Sequence, residues 1–128
     1  MSGERMKVPT LGKQTGGQLQ KQIVTLAHTF GWKIAHFRSV PVQRGDRTVW
    51  QTPVAADGVG FPDLVLLHPT KGEAYFREIK GDYETVRPEQ EQWGAWILGA
   101  GLDWAIWRPR QWEREIVPLL TFGRGDPQ

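Results

Sequence analysis

Residues 17–30 place Leu19, Ile23, Leu26, Ala27 and Phe30 at helical spacing, and Gly31 suits a helix stop. Residues 32–38 then alternate, with Trp32 and Ile34 on one face and Ala35 and Phe37 on the other, which predicts a strand. Residues 39–60 hold two prolines, three glycines and scattered charges without a clear period, and read as a long loop with a short strand at 48–51. Residues 64–67 are continuously apolar, as in a strand covered on both faces, and Pro69 to Gly72 turns the chain into a hairpin partner over 74–80. Pro88 opens a second helix, with Glu89 and Glu91 complementing its positive end. Its predicted buried stripe is Trp93, Trp96, Ile97 and Ala100, and Gly99 and Gly101 end it. A strand at 104–107 and a short helix over 111–120, broken near Pro118, close the chain. The order α-β-β-β-α-β, with the short closing helix, predicts an α/β fold in which a small mixed sheet is flanked by helices.

At 128 residues and 39% hydrophobic residues the chain suits one core, expected over 17–120, with a loose leader at 1–16 and a tail at 121–128. No apolar run approaches the roughly 20 residues that span a bilayer, and MSGERMKVPT lacks the apolar centre of a signal peptide, so a cytoplasmic location is expected. The absence of cysteine excludes disulfides, thiol catalysis and thiolate zinc sites. Any metal is then left to carboxylates, carbonyls, histidines and water, which favours a hard ion. Net charge is only +2, but residues 1–50 carry eight Lys/Arg against two Asp/Glu, a local +6, while the remainder is −4. A basic front half beside an acidic rear half suits a phosphate-binding surface next to a carboxylate site, and equally a solvated helix face with a basic leader.

The chemistry concentrates in GFPDLVLLHPTKGEAYFREIKG, residues 60–81. Glu78 and Lys80 are two apart on a strand and therefore share a face, while Ile79 points the other way. A hairpin with its turn at 68–73 brings Asp63 across from Glu78 or Lys80 within two residues of register. Two carboxylates with a backbone carbonyl, from Ile79, are a sufficient protein contribution to a magnesium ion that keeps several waters. Lys80 is placed to orient a metal-bound water or to stabilise developing charge. The alternative is a turn-capping Asp63 with a solvent-facing Glu78–Lys80 pair, which the core residue Phe76 on the same face argues against. Gln90 shares the inward face of the second helix and needs a polar partner, either this cluster or the helix's own backbone.

The strings G-F-P-D-L-V-L-L and F-R-E-I-K resemble the PD-(D/E)XK nuclease signature, and more specifically that of the VRR-NUC domain family. Leu19-Gln20, Gly31-Trp32, His36, Pro88-Glu89-Gln90, Gly101, and Trp107-Arg108-Pro109 with Trp112 extend the resemblance over roughly residues 19–112. The resemblance implies a restriction-endonuclease-like core and a structure-selective DNA endonuclease dependent on Mg²⁺ or Mn²⁺. Short stand-alone members resemble Holliday-junction resolving enzymes acting as homodimers, and longer relatives serve DNA repair. By motif position, Asp63 and Glu78 become metal ligands, Lys80 the catalytic lysine, and Gln20 and Gln90 polar positions near the site. The superfamily often adds an acidic residue from the first helix. The aligned position here is Gly16, which leaves open the number of metals and the strength of the activity.

Arg38, Arg44, Arg47 and His36 are the candidate contacts to a DNA backbone, with a solvated loop as the alternative for the arginines. His28, His36 and His68 lack metal-ligand spacing and read as structural or exposed, with His36 the one best placed to approach phosphate. Of seven tryptophans, Trp93, Trp96, Trp104, Trp107 and Trp112 fall on core-like positions, while Trp50 is placed for base or interface contact. The expectation is hydrolysis of branched DNA, most simply a four-way junction, by a homodimer. The competing expectations are a catalytically weak or inactive branched-DNA or end-binding protein, and a sequence-specific restriction-type nuclease. The compact size would suit a phage or a bacterial mobile element.

Overall fold

A computed structural model describes residues 15–37, 40–52 and 54–124. Helix α1 (Gly16–Thr29) begins in a capping box: the Thr15 hydroxyl accepts the Gln18 N–H at 3.1 Å and Gln18 Oε1 accepts the Thr15 N–H at 2.9 Å. Leu19, Ile23 and Ala27, at steps of four, are fully buried. The predicted stripe runs one turn too far, because Phe30 caps the helix and stays exposed. Gly31 then turns the chain with φ +89°, which a side chain rarely tolerates.

Strands β1 (Lys33–His36), β4 (Leu64–His68), β5 (Glu73–Ile79) and β6 (Trp104–Trp107) form one mixed sheet in the order β1-β4-β5-β6. The first two pairings are antiparallel, and β5 runs parallel to β6. That parallel step needs a crossover, supplied by α2 (Pro88–Gly99). This is the mixed α/β architecture expected from the pattern.

Where a loop with a short strand at 48–51 is predicted, that strand forms and pairs with a second one over 40–44. β2 (Val40–Arg44) and β3 (Arg47–Gln51) form a separate antiparallel ribbon around Gly45-Asp46. Pro41 argues against a strand inside a sheet, but in a two-stranded ribbon both strands are edges, where proline is tolerated. Gly45, at φ +65°, supplies the turn.

Alternation divides the sheet into two faces. Leu64, Leu66, Tyr75, Ile79 and Trp107 pack with the α1 stripe and with Ile116 and Leu120, forming the main core. Each fully buried leucine or isoleucine there contributes about 1.5–3 kcal/mol. Trp32 lies beneath them and donates its indole N–H to the Leu120 carbonyl at 2.8 Å. His68 is structural, as one of its readings has it: Nε2 lies 2.8 Å from the Phe30 carbonyl and Nδ1 accepts the Lys71 N–H at 3.2 Å.

On the other face, Phe76, Phe61 and the α2 residue Trp93 meet edge to face. The predicted α2 stripe is rotated: Gln90, Gly94 and Ile97 are buried, while Trp96 and Ala100 are exposed. The cause is Gly94, where a Cβ would sit 2.6 Å from the Trp104 ring, so the helix rests on that indole through its bare backbone.

The closing helix also differs, running as a 3₁₀ turn (Pro109–Gln111), a π-wound segment (Trp112–Ile116) and α3 (Val117–Phe122). Pro118 does not break it, because proline is accepted in the first turn of an α segment and the wider π turn before it relieves the ring's clash with the preceding carbonyls. No helix among the described residues is long and apolar enough to cross a membrane.

Candidate functional site

The last paired residues at one end of the β4–β5 ladder are Leu64 and Arg77. Asp63 lies one residue beyond, and its Oδ2 accepts the Ile79 N–H at 2.9 Å, so a side chain continues the ladder where backbone pairing stops. On the opposite side the Asp63 carbonyl accepts the Phe37 N–H at 2.9 Å. With Pro62 fully buried before it, the carboxylate is held from three directions.

Glu78 points to the α2 face and is 2% exposed; Lys80 is 5% and Gln90 6% exposed. Glu78 Oε2 accepts a hydrogen bond from Gln90 Nε2 at 2.8 Å and lies 3.7 Å from Lys80 Nζ. Glu78 Oε1 is buried and accepts no hydrogen bond from any described group. Lys80 is aimed by its backbone, which donates to the Trp107 carbonyl at 3.0 Å and so extends the parallel ladder. Gln90 joins both roles considered for it: Oε1 accepts the Arg87 N–H at 2.9 Å and caps α2, while the amide nitrogen holds Glu78.

The electrostatics follow from crowding two carboxylates around one ammonium. Burial pushes the Asp63 carboxyl above the usual range, opposed by the Ile79 amide, by a hydrogen bond with the Glu78 side chain and by the charges of Lys80 and His36. Burial pushes Glu78 up to about 8, Asp63's charge adds to that, and Lys80 offsets part of it. At neutral pH the pair therefore retains a proton or takes a cation. The hard oxygen donors and the unpartnered Glu78 Oε1 fit a divalent cation of the magnesium type. Among the described residues no group of three or more His, Asp or Glu is placed to hold a metal. Ile79, expected to lend its carbonyl, is tied to the site through its amide.

Gly16 begins α1 against the end of β5. A Cβ there would meet Glu84 Oε1 at 3.3 Å and the Gly81 nitrogen at 3.4 Å, so a longer acidic side chain has little room. Glu84 instead accepts the Gly81 N–H at 2.6 Å. Arg108 fixes the same turn, with Nη1 donating to the carbonyls of Gly81 at 2.6 Å and Glu84 at 2.8 Å. Neither role was read from the sequence; the acid three residues after Gly81 was the available signal. Gln20 lies half-buried one turn beyond Gly16, and no hydrogen bond among the described residues joins it to Asp63, Glu78 or Lys80.

Of the candidate DNA contacts, His36 ends β1 close enough for its charge to act on Asp63. Arg44 and Arg47 face each other at the ribbon's tip and are exposed. Arg38 lies outside the described residues. A cavity of about 600 Å³ opens beside the site, with Asp63 and Gln90 in its wall and Phe37, Trp50 and Phe61 around it. No family model, curated protein or solved structure matches the chain, so a functional reading rests on this chemistry and on the sequence pattern.

Proposed function

We propose that the chain is a divalent-metal-dependent DNA endonuclease of the VRR-NUC type, with a restriction-endonuclease-like core, that selects branched DNA and acts as a homodimer. The observation carrying this reading is the half-buried Asp63 beside the buried Glu78, which has one carboxylate oxygen unpartnered and an ammonium 3.7 Å from the other. Mg²⁺ or Mn²⁺ bound by Asp63 and Glu78, with the Ile79 carbonyl, would activate water and offset charge on a scissile phosphodiester. Ile79's amide fixes the orientation of Asp63, and Gln90 fixes Glu78 Oε2 so that Oε1 stays turned from the helix cap. Lys80 supplies a fixed positive charge whose direction is set by β6. Two such sites match the two-fold symmetry of a four-way junction.

Purified protein incubated with four-way junctions, flaps and linear duplexes, with Mg²⁺ or Mn²⁺ added or chelated, tests the reading. Cleavage of branched substrates that disappears with chelator is expected. Lys80→Ala should lower its rate at least about 100-fold while DNA binding persists. The second reading, a branched-DNA binder with a weak or inactive site, is favoured by Gly16, whose position against Gly81 and Glu84 replaces an added carboxylate. Intact DNA in every metal-containing arm, with junction binding retained, would establish that second reading.

A further inference from the structure

The cavity beside the carboxylates has a wall that nuclease chemistry alone does not require. Phe37 is 42% exposed and Trp50 66%, and Val54 and Val59 are exposed beside them. Phe61 is set edge to face against Phe37 at 5.6 Å and against Trp93 at 5.1 Å, so the wall is braced from behind by α2. Phe37 and Asp63 are joined directly, the amide of one bonded to the carbonyl of the other. An aromatic recess left open to solvent forgoes burial that would stabilise the fold, which marks it as a binding surface.

We propose that this recess receives an unstacked nucleobase of the DNA substrate, next to the phosphate that a cation on Asp63 and Glu78 would take. The proposal rests on the nuclease reading and names the feature by which branched DNA is distinguished from duplex. Aromatic rings take a base by its flat faces, and in a continuous duplex those faces are already covered by neighbouring base pairs. Only an unpaired nucleotide at a bulge, flap or branch point offers them. Position favours a nucleotide over an apolar side chain from a second copy: the wall holds Asp63 beside the Arg87–Glu89 ion pair, 3.8 Å apart, and Arg44 and Arg47 stand on the ribbon that carries Trp50. The recess wall includes Asp63 of the carboxylate pair and Gln90, which holds Glu78, so the base and phosphate positions adjoin.

The test uses the full chain and a duplex bearing a single 2-aminopurine, either bulged or paired, with metal chelated so that no cleavage is needed. Tighter binding of the bulged duplex by about 10-fold or more, with a change in 2-aminopurine emission, is expected. Trp50→Ala and Phe37→Ala should each bring that preference towards unity, and Trp50→Phe should restore it; thermal melting verifies that each variant folds. Equal affinity of the wild type for bulged and paired duplexes overturns the proposal, as does a preference that survives Trp50→Ala. If sedimentation shows that Trp50→Ala dissociates a dimer and leaves base preference intact, the surface belongs to a second copy and the proposal also falls. Binding is read without metal, so a preference with no cleavage sinks the nuclease reading alone, and cleavage with no preference sinks only this one.

Discussion

At the scale of single residues, Glu78 concentrates the opposition between folding and function. Its carboxyl is held up to about 8 against 4.5 for a free group, so between those values the folded chain binds more protons than the unfolded one. Stability from this group is complete below about pH 4.5 and is lost as pH rises through about 8, at a slope of at most about 1.4 kcal/mol per unit. A cation on the two carboxylates removes the need for that proton. With chelator present, the melting midpoint should therefore fall as pH rises from about 5 to 8, and added Mn²⁺ should raise it more at the upper end. Glu78→Gln should flatten the chelated profile and abolish the metal response, both measurable by thermal denaturation. An unchanged midpoint across the range would mean that the pair is better solvated than its burial indicates.

At the scale of elements, Gly94 decides how α2 meets the sheet. A methyl group there lies 2.6 Å from the Trp104 ring, and forced overpacking costs about 1–3 kcal/mol. Alanine recovers up to about 1 kcal/mol of helix propensity, so the clash prevails and Gly94→Ala should lower the melting midpoint by several degrees. Gly99, with nothing within 4 Å of its would-be Cβ, is the control: Gly99→Ala should leave the midpoint unchanged or higher. The same glycine explains what the pattern of apolar residues concealed. Hydrophobic spacing marks large side chains, so Trp93 and Trp96 drew the predicted stripe towards themselves, although the contact is made where a side chain is missing. Of the β2–β3 ribbon, β3 was legible as a short strand at 48–51, while β2 was hidden in a similar way, by a proline forbidden only in a central strand. By contrast, α1, β4, β5 and β6 were legible because period and turn residues agreed. The pairing of Glu78 with Lys80 followed from period two alone. Asp63's bond to a backbone amide, and a recess assembled from three separate segments, have no local pattern that announces them.

At the scale of the whole molecule, the uneven charge becomes a measurable property of binding. A chain of net charge +2 gains little from long-range attraction as a whole, so on the proposed reading DNA affinity would have to come from cations placed locally. The ribbon tip presents Arg44 and Arg47 side by side and exposed, where on the proposed reading they would bear on phosphates. Each phosphate contact releases counterions and adds about 0.9 to the slope of log affinity against log salt on duplex DNA. The double variant Arg44→Ala/Arg47→Ala should then reduce the magnitude of that slope by about 2 and weaken bulged and paired duplexes by the same factor. That uniform loss separates the arginines from Trp50, whose removal should act on the bulged duplex selectively. Titrations by fluorescence anisotropy at four or five salt concentrations measure both quantities. If the slope of the double variant equals that of the wild type, the ribbon stays clear of the phosphates, and the basic charge that holds DNA has to be sought elsewhere in the first half of the chain.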